Sequence, residues 1–102
     1  MTTAVLHILL SLAAEDRHGL GVAADIKSFT DGRLLLGPGT LYGTIKRLLD
    51  GGLIEDLGSP GADDDPRRRY YRITPAGRRA LEAETQGLAA VVGVAKRRLR
   101  TS

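Results

Sequence analysis

The sequence of 102 residues contains no cysteine and no tryptophan. Without cysteine there can be no disulfide, no thiolate metal site and no thiol redox switch. Only two histidines are present, and neither His7 nor His18 lies at metal-ligand spacing or beside a paired-carboxylate or nucleophile motif. We therefore expect no enzyme activity, no metal and no cofactor.

Long hydrophobic runs are also missing. The apolar stretch at residues 4–14 is too short to span a bilayer, and no basic residue precedes it as in a secretory signal. We expect a cytoplasmic protein without membrane association. The length suits one compact domain.

The positive charge is concentrated in the last third of the chain. Residues 1–66 hold five Lys and Arg against ten Asp and Glu, whereas residues 67–102 hold ten against two. Such a basic region is the electrostatic footprint of a protein that contacts a duplex backbone, although a solvated basic tail has the same composition. For the basic residues at 96–100, we favour the solvated tail.

Three helices are predicted in the first half. The first, from about Thr3 to Glu15, is apolar on two stripes, and so small a domain covers only one of them from its own chain. We therefore expect this helix, through Leu6, to contact a partner subunit. A break at residues 18–21 precedes a short second helix, in which Val22, Ile26 and Phe29 recur at helical spacing.

The third helix is predicted to begin near Pro38 and to end at Gly51-Gly52. Leu41, Ile45 and Leu48 lie on its inward face. At about 100° per residue, the opposite face is polar and partly basic. That outward face consists of Thr40, Gly43, Lys46, Arg47 and Asp50.

Strand-forming residues follow at 53–57 and 70–74, on either side of a segment rich in Gly, Pro and Asp. This pattern predicts a β-hairpin with a long loop. The fold class is therefore mainly α with a small β-wing: a winged helix-turn-helix over residues 1–74, with the wing at about 53–74.

A long last helix is predicted from Pro75 to about Arg100, with Thr74 as its N-cap. Apolar or small residues recur along it with alternating spacings of four and three, the pattern of a coiled-coil seam. The seam residues are Leu81, Thr85, Leu88, Val92, Ala95 and Leu99. We interpret residues 75–102 as a helix that joins two copies of the chain.

Several motifs in this order resemble the PadR family of phenolic-acid repressors, in its short subgroup with one terminal helix. They are Gly37-Pro38-Gly39-Thr40-Leu41-Tyr42, Arg47-Leu48, Gly52-Leu53-Ile54, Arg69-Tyr70-Tyr71 and Ile73-Thr74 with Gly77. The resemblance implies a homodimeric winged-helix repressor. Gly43 departs from the family pattern, which commonly has Pro there.

The DNA-contacting residues are predicted on the third helix and the wing. Lys46 would meet phosphates, while Arg47 would bind guanine or serve helix packing. Thr40 and Tyr42 would donate hydroxyl hydrogen bonds to phosphate, with packing at the edge of the core as the alternative role of Tyr42. The wing contributes a run of three arginines: Arg67, Arg68 and Arg69.

These expectations describe a repressor that binds a pseudo-palindromic operator in double-stranded DNA as a homodimer. The alternative is a winged-helix adaptor that binds another protein rather than DNA, since fold alone does not determine function. With four aromatic residues and no Trp, the sequence predicts no aromatic sandwich for a flat drug. It identifies no small-molecule inducer.

Replacing Leu88 with Asp tests the seam. The substitution buries a charge between the two helices and should dissociate or unfold the dimer. Light scattering at micromolar concentration measures the outcome, and an unchanged, stable dimer would contradict the predicted register.

Overall fold

The computed structural model describes residues 1–59 and 68–100. Its elements are α1 (Thr3–Ala14), β1 (Arg17–His18), α2 (Gly19–Phe29), α3 (Pro38–Asp50), β2 (Ile54–Gly58), β3 (Tyr70–Ile73) and α4 (Pro75–Arg100). This is the predicted mainly helical fold with a small β-wing. Arg67 and the acidic run at 63–65 lie outside the described residues.

Local capping chemistry sets the helix starts. The hydroxyl of Thr2 accepts a hydrogen bond from the backbone N–H of Val5, and Nδ1 of His18 accepts one from Gly21 at 2.9 Å. Pro38 and Pro75 occupy the first positions of their helices, where a missing N–H costs nothing. These contacts explain why α1, α3 and α4 begin where the sequence predicts. Helix α2 instead begins at Gly19, inside the break predicted at residues 18–21, because the side chain of His18 caps its first turn.

One strand was not predicted. Arg17 and His18 form β1, which pairs antiparallel with Tyr71 and Tyr70, so that the sheet has three strands in the order β1-β3-β2. The predicted two-stranded hairpin was therefore incomplete. A two-residue strand has no periodicity of its own and exists only because β3 supplies its hydrogen-bond partners.

The core lies between the helices and the sheet, with α1 at its centre. Ile8, Leu9 and Leu12 of α1 are fully or almost fully buried. They pack with buried residues from every other helix and from the sheet. These partners are Val22, Ile26, Leu41, Ile45, Leu48, Ile54, Tyr71, Ile73 and Leu81.

The first turns of α4 belong to this core, whereas the remainder projects from it. Leu81 is only 7% exposed, so its prediction as a dimer contact is corrected: its side chain is already buried in its own protomer. Farther along α4, large apolar side chains face solvent, among them Leu88, Val91, Val92 and Leu99. The molecule measures 60 × 28 × 21 Å as a result.

None of the described helices is long and apolar enough to cross a membrane.

The start of α4 lies directly against the polypeptide backbone that enters the wing. A Cβ at Gly77 would collide with the carbonyl oxygen of Leu53 and would stand 2.9 Å from Cγ1 of Ile73. Only a glycine permits this approach. The backbone of Leu53 is itself held, because the N–H of Thr74 donates to its carbonyl oxygen at 3.1 Å.

We expect Gly77→Ala to lower the free energy of unfolding by about 1–3 kcal/mol, because backbone must move to admit the methyl group. Gly87 is the matched control on the same helix, since a Cβ there meets nothing within 4 Å. Gly87→Ala should raise the free energy of unfolding by about 0.5–1 kcal/mol through helix propensity. Urea denaturation of both variants measures the difference, and equal effects would contradict the close approach.

Candidate nucleic-acid interface

Helix α3 is anchored on one face and exposed on the other. Leu41, Ile45 and Leu48 are each no more than 3% exposed. Thr40, Lys46 and Arg47, the three outward residues predicted to contact DNA, are all exposed. The buried leucines and isoleucine therefore hold the polar face in a defined orientation toward solvent.

The two basic residues of α3 differ in their surroundings. Within the described part of the chain, Lys46 has no ion-pair partner. Arg47 donates a hydrogen bond from its guanidinium to the hydroxyl of Thr44 at 3.3 Å. Thr44 is completely buried, so this bond holds the guanidinium of Arg47 against the surface of its own helix. The geometry is compatible with both predicted roles of Arg47.

Tyr42 is placed differently from Thr40. Its hydroxyl oxygen is shielded from solvent. Its ring lies against the first residue of α2, where a Cβ on Gly19 would stand 2.7 Å from the phenolic oxygen. Of the two roles left open by the sequence, this position favours packing between α2 and α3 over hydrogen bonding to phosphate.

The amino terminus of α3 offers a third kind of contact. Gly37 is the N-cap residue and makes no side-chain capping bond, and Pro38 follows at the first position. The first backbone N–H groups of the helix are thus not occupied by a capping side chain. Together with the helix dipole, such groups favour an anion such as a phosphate.

Acidic residues bind two of the wing arginines. Nε of Arg69 lies 2.8 Å from the carboxylate of Asp56, and Arg72 binds Asp16 at 2.7 Å. Arg68 is exposed. The clustered arginines of the sequence are therefore not equivalent, because the positive charge of Arg69 is partly offset within the wing itself.

The same contacts shift the acidity of both carboxyl groups. The hydrogen bond from Arg72 lowers the pKa of Asp16 below its ordinary value of 3.8. For Asp56, desolvation raises the pKa, but hydrogen bonds from Arg69 and the N–H of Gly58 outweigh it, so the pKa is also lowered. Both groups therefore favour the ionised form.

The structure also brings together rings that the sequence did not connect. His7 of α1 and Phe29 of α2 stack with centroids 5.8 Å apart and planes almost parallel. They line an open cleft of about 450 Å³, together with Thr3, Thr30, Arg33 and Leu34. The sequence places each ring on its own helix. Only the packing of α1 against α2 makes the two rings neighbours.

Sequence comparison identifies the family. The model of the transcriptional regulator PadR-like family matches residues 5–83. The chain belongs to this family. It is 36% identical over 83 residues to the transcriptional regulator Rv3488 of Mycobacterium tuberculosis, a match that covers 81% of this chain and 73% of that protein.

A second relative is an uncharacterised 37.1 kDa protein in transposon TN4556 of Streptomyces fradiae, 37% identical over 86 residues. The match covers 84% of this PadR-like chain but only 23% of the Streptomyces protein. The chain thus spans about a quarter of that relative's length.

Solved structures share the fold. A PadR family transcription regulator from Clostridium difficile superposes with a TM-score of 0.79 at 26% identity, covering 96% of this chain and 99% of that one. PadR of Bacillus subtilis in complex with operator DNA gives a TM-score of 0.72 at 18% identity, covering 82% and 47%. The matched family, the Mycobacterium relative and the Clostridium difficile protein are transcriptional regulators. Among the described residues, no cluster of three or more His, Asp or Glu could hold a metal ion.

The pair between Asp16 and Arg72 gives a pH prediction. Because the folded pKa of Asp16 is lowered, the pair contributes stability above about pH 4 and loses that contribution as the pH falls through the folded pKa. Asp16→Asn should therefore be less stable than the parent at pH 6 and lose less stability between pH 6 and pH 3. Urea unfolding at the two pH values measures this. Asp31→Asn, at an exposed aspartate after α2, is the control. An Asp16→Asn profile parallel to the parent's would contradict the expectation.

Proposed function

We propose that this PadR-like regulator is a repressor that binds a pseudo-palindromic operator in double-stranded DNA as a homodimer. The observation that carries the proposal is the exposed, partly basic face of α3, held outward by Leu41, Ile45 and Leu48 in the core. A helix presented in this way fits the major groove, which admits an α-helix.

Each contact residue has a distinct task in the proposed complex. Lys46 neutralises a phosphate, and Thr40 hydrogen-bonds another near the amino terminus of α3. Arg47 either reads guanine or supports the helix surface through Thr44. Arg68, with Arg67 beside it in the sequence, meets phosphates that flank the groove. Arg69 contributes less because Asp56 offsets its charge.

The homodimer supplies the second recognition helix. We propose residues 1–74 as the DNA-binding unit and residues 75–102 as the dimerisation helix. The contacts come from apolar residues that remain accessible in one protomer: Leu6, Leu88, Val92, Ala95 and Leu99. Two-fold symmetry then requires inverted half-sites, with centres about 34 Å apart or at a multiple of that distance.

When the homodimer occupies its operator, it blocks a promoter, and transcription from that promoter is repressed. A cytoplasmic location, with access to DNA, is part of the proposal.

Salt-dependent DNA binding is the decisive measurement. Duplexes selected from random DNA should bind with an affinity that falls steeply with salt. Lys46→Ala should weaken binding to all duplexes similarly and reduce the salt slope by about one. Lys27→Ala, at an exposed lysine of α2, is the control and should leave the slope unchanged.

The proposal would be contradicted if the protein's affinity did not depend on salt concentration for any duplex. The duplexes tested include DNA from around the protein's own gene. The protein-adaptor function would then replace it.

A further inference from the structure

Gly43 lies in the middle of α3, on the face of the helix that is exposed to solvent. A glycine inside a helix lowers the stability of that helix relative to alanine, because glycine loses more conformational freedom on folding. This is also the position at which the chain departs from the Pro that the family commonly has. A glycine here therefore calls for a physical explanation.

The fold itself does not require this glycine. The φ angle of Gly43 is not positive, so its backbone conformation is open to other residues. A Cβ built on Gly43 meets no atom of the described residues within 4 Å, whereas the same atom on Gly77 collides with the carbonyl of Leu53. Alanine would fit at position 43 and would stabilise the helix. The isolated protomer thus gains nothing from the glycine.

The surroundings of Gly43 are the proposed DNA contacts. Its neighbours three and four positions away on the helix surface are Thr40, Lys46 and Arg47, and all three are exposed. An open Cβ position alone does not indicate a contact, because Gly87 of α4 has one as well. Gly43 differs from Gly87 because it lies at the centre of the face that the proposed function directs toward DNA.

The long side chains beside Gly43 leave its Cα uncovered. The guanidinium of Arg47 lies against Thr44, at 3.3 Å from its hydroxyl, and no described side chain reaches within 4 Å of the open Cβ position. The N–H and C=O groups of a helix interior bond within the helix. The group that Gly43 exposes is therefore its Cα methylene, which is an apolar patch within a polar face.

We propose that Gly43 is a specificity-determining residue, at which α3 approaches the floor of the major groove closely enough for the C5 methyl group of a thymine to lie against its Cα. The inference rests on the DNA binding of the proposed function. It adds one base that the recognition helix reads and the residue that reads it.

The chemistry of the patch selects thymine among the base edges. Guanine, adenine and cytosine present hydrogen-bonding groups in the major groove, whereas thymine adds a methyl group. A methylene neither donates nor accepts a hydrogen bond, so a polar edge pressed against it would lose water without gaining a partner. The thymine methyl group loses no hydrogen bond there and gains van der Waals contact at about 3.5–4.0 Å.

Any residue other than glycine at position 43 would disturb this contact. The Cβ of an alanine would project from Cα into the space that the thymine methyl group occupies, so the helix would have to withdraw from the base. Pro, which the family commonly has here, carries a Cβ too. The contact therefore distinguishes this chain within its family.

Gly43→Ala tests the contact in the full chain. The variant should have a higher urea midpoint of unfolding than the parent, yet bind the operator selected from random DNA about tenfold more weakly. Its affinity for a non-specific duplex should change less than about twofold, because phosphate contacts supply that affinity. Gly87→Ala is the matched control, which should also raise the urea midpoint but leave both affinities at parental values. Fluorescence anisotropy measures the affinities.

Deoxyuridine in the DNA identifies the base, because it is thymidine without the C5 methyl group. Each thymine of the selected operator is replaced in turn, symmetrically in the two half-sites. At one position, the replacement should weaken binding of the parent by about fourfold for each half-site, since one methyl contact is lost. The same duplex should recover most of the affinity that Gly43→Ala loses, because the alanine methyl group takes the place of the base methyl group.

Failure of the contact and failure of the proposed function give different results. If the parent binds DNA with salt-dependent affinity but Gly43→Ala binds the selected operator as tightly, the inference is wrong and the proposed function stands. The inference is equally wrong if no deoxyuridine position restores the binding of Gly43→Ala, or if this variant has a lower urea midpoint than the parent. A parent without salt-dependent affinity for any duplex overturns both.

Discussion

The close contact between Gly77 and the backbone of Leu53 is the constraint on which the rest of the molecule depends. Around it, the hydroxyl of Thr74 donates to the carbonyl of Gly52 at 2.7 Å and accepts from the N–H of Gly77 at 3.1 Å. One small junction therefore joins the end of α3, the first wing strand and the start of α4. The direction of α4 relative to α3 is determined there.

The positive charge that this regulator presents to solvent depends on its ion pairs as well as on its composition. The wing is rich in arginine, yet Asp56 and Asp16 bind two of these side chains and reduce the charge presented to solvent. On α3, Lys46 has no such partner among the described residues. Attraction to phosphates alone carries no sequence information. A helix face with modest positive charge and a fixed orientation therefore suits recognition of a base sequence better than a strongly charged face that binds any duplex.

The fold could be predicted from the sequence to a large extent, since each helix has its own caps and its own apolar period. The bounds of α3 and α4 follow from Pro38, Gly51 and Pro75, which act on backbone within one or two turns. The outward position of Thr40, Lys46 and Arg47 follows in the same way from the helical repeat. The resemblance to the family followed from short motifs that occur in the family's order along the chain.

Contacts between distant parts of the chain were decided only by the tertiary structure. Strand β1 exists because β3 lies beside it, and Tyr42 packs on Gly19 because α2 crosses α3. Leu81 belongs to the protomer core rather than the seam because α1 covers the first turns of α4, a fact that heptad spacing does not contain. The sequence by itself determined which residues are apolar, charged or helical, because those properties are local. Which of them are buried, paired or left exposed for a partner depends on what folding brings beside them.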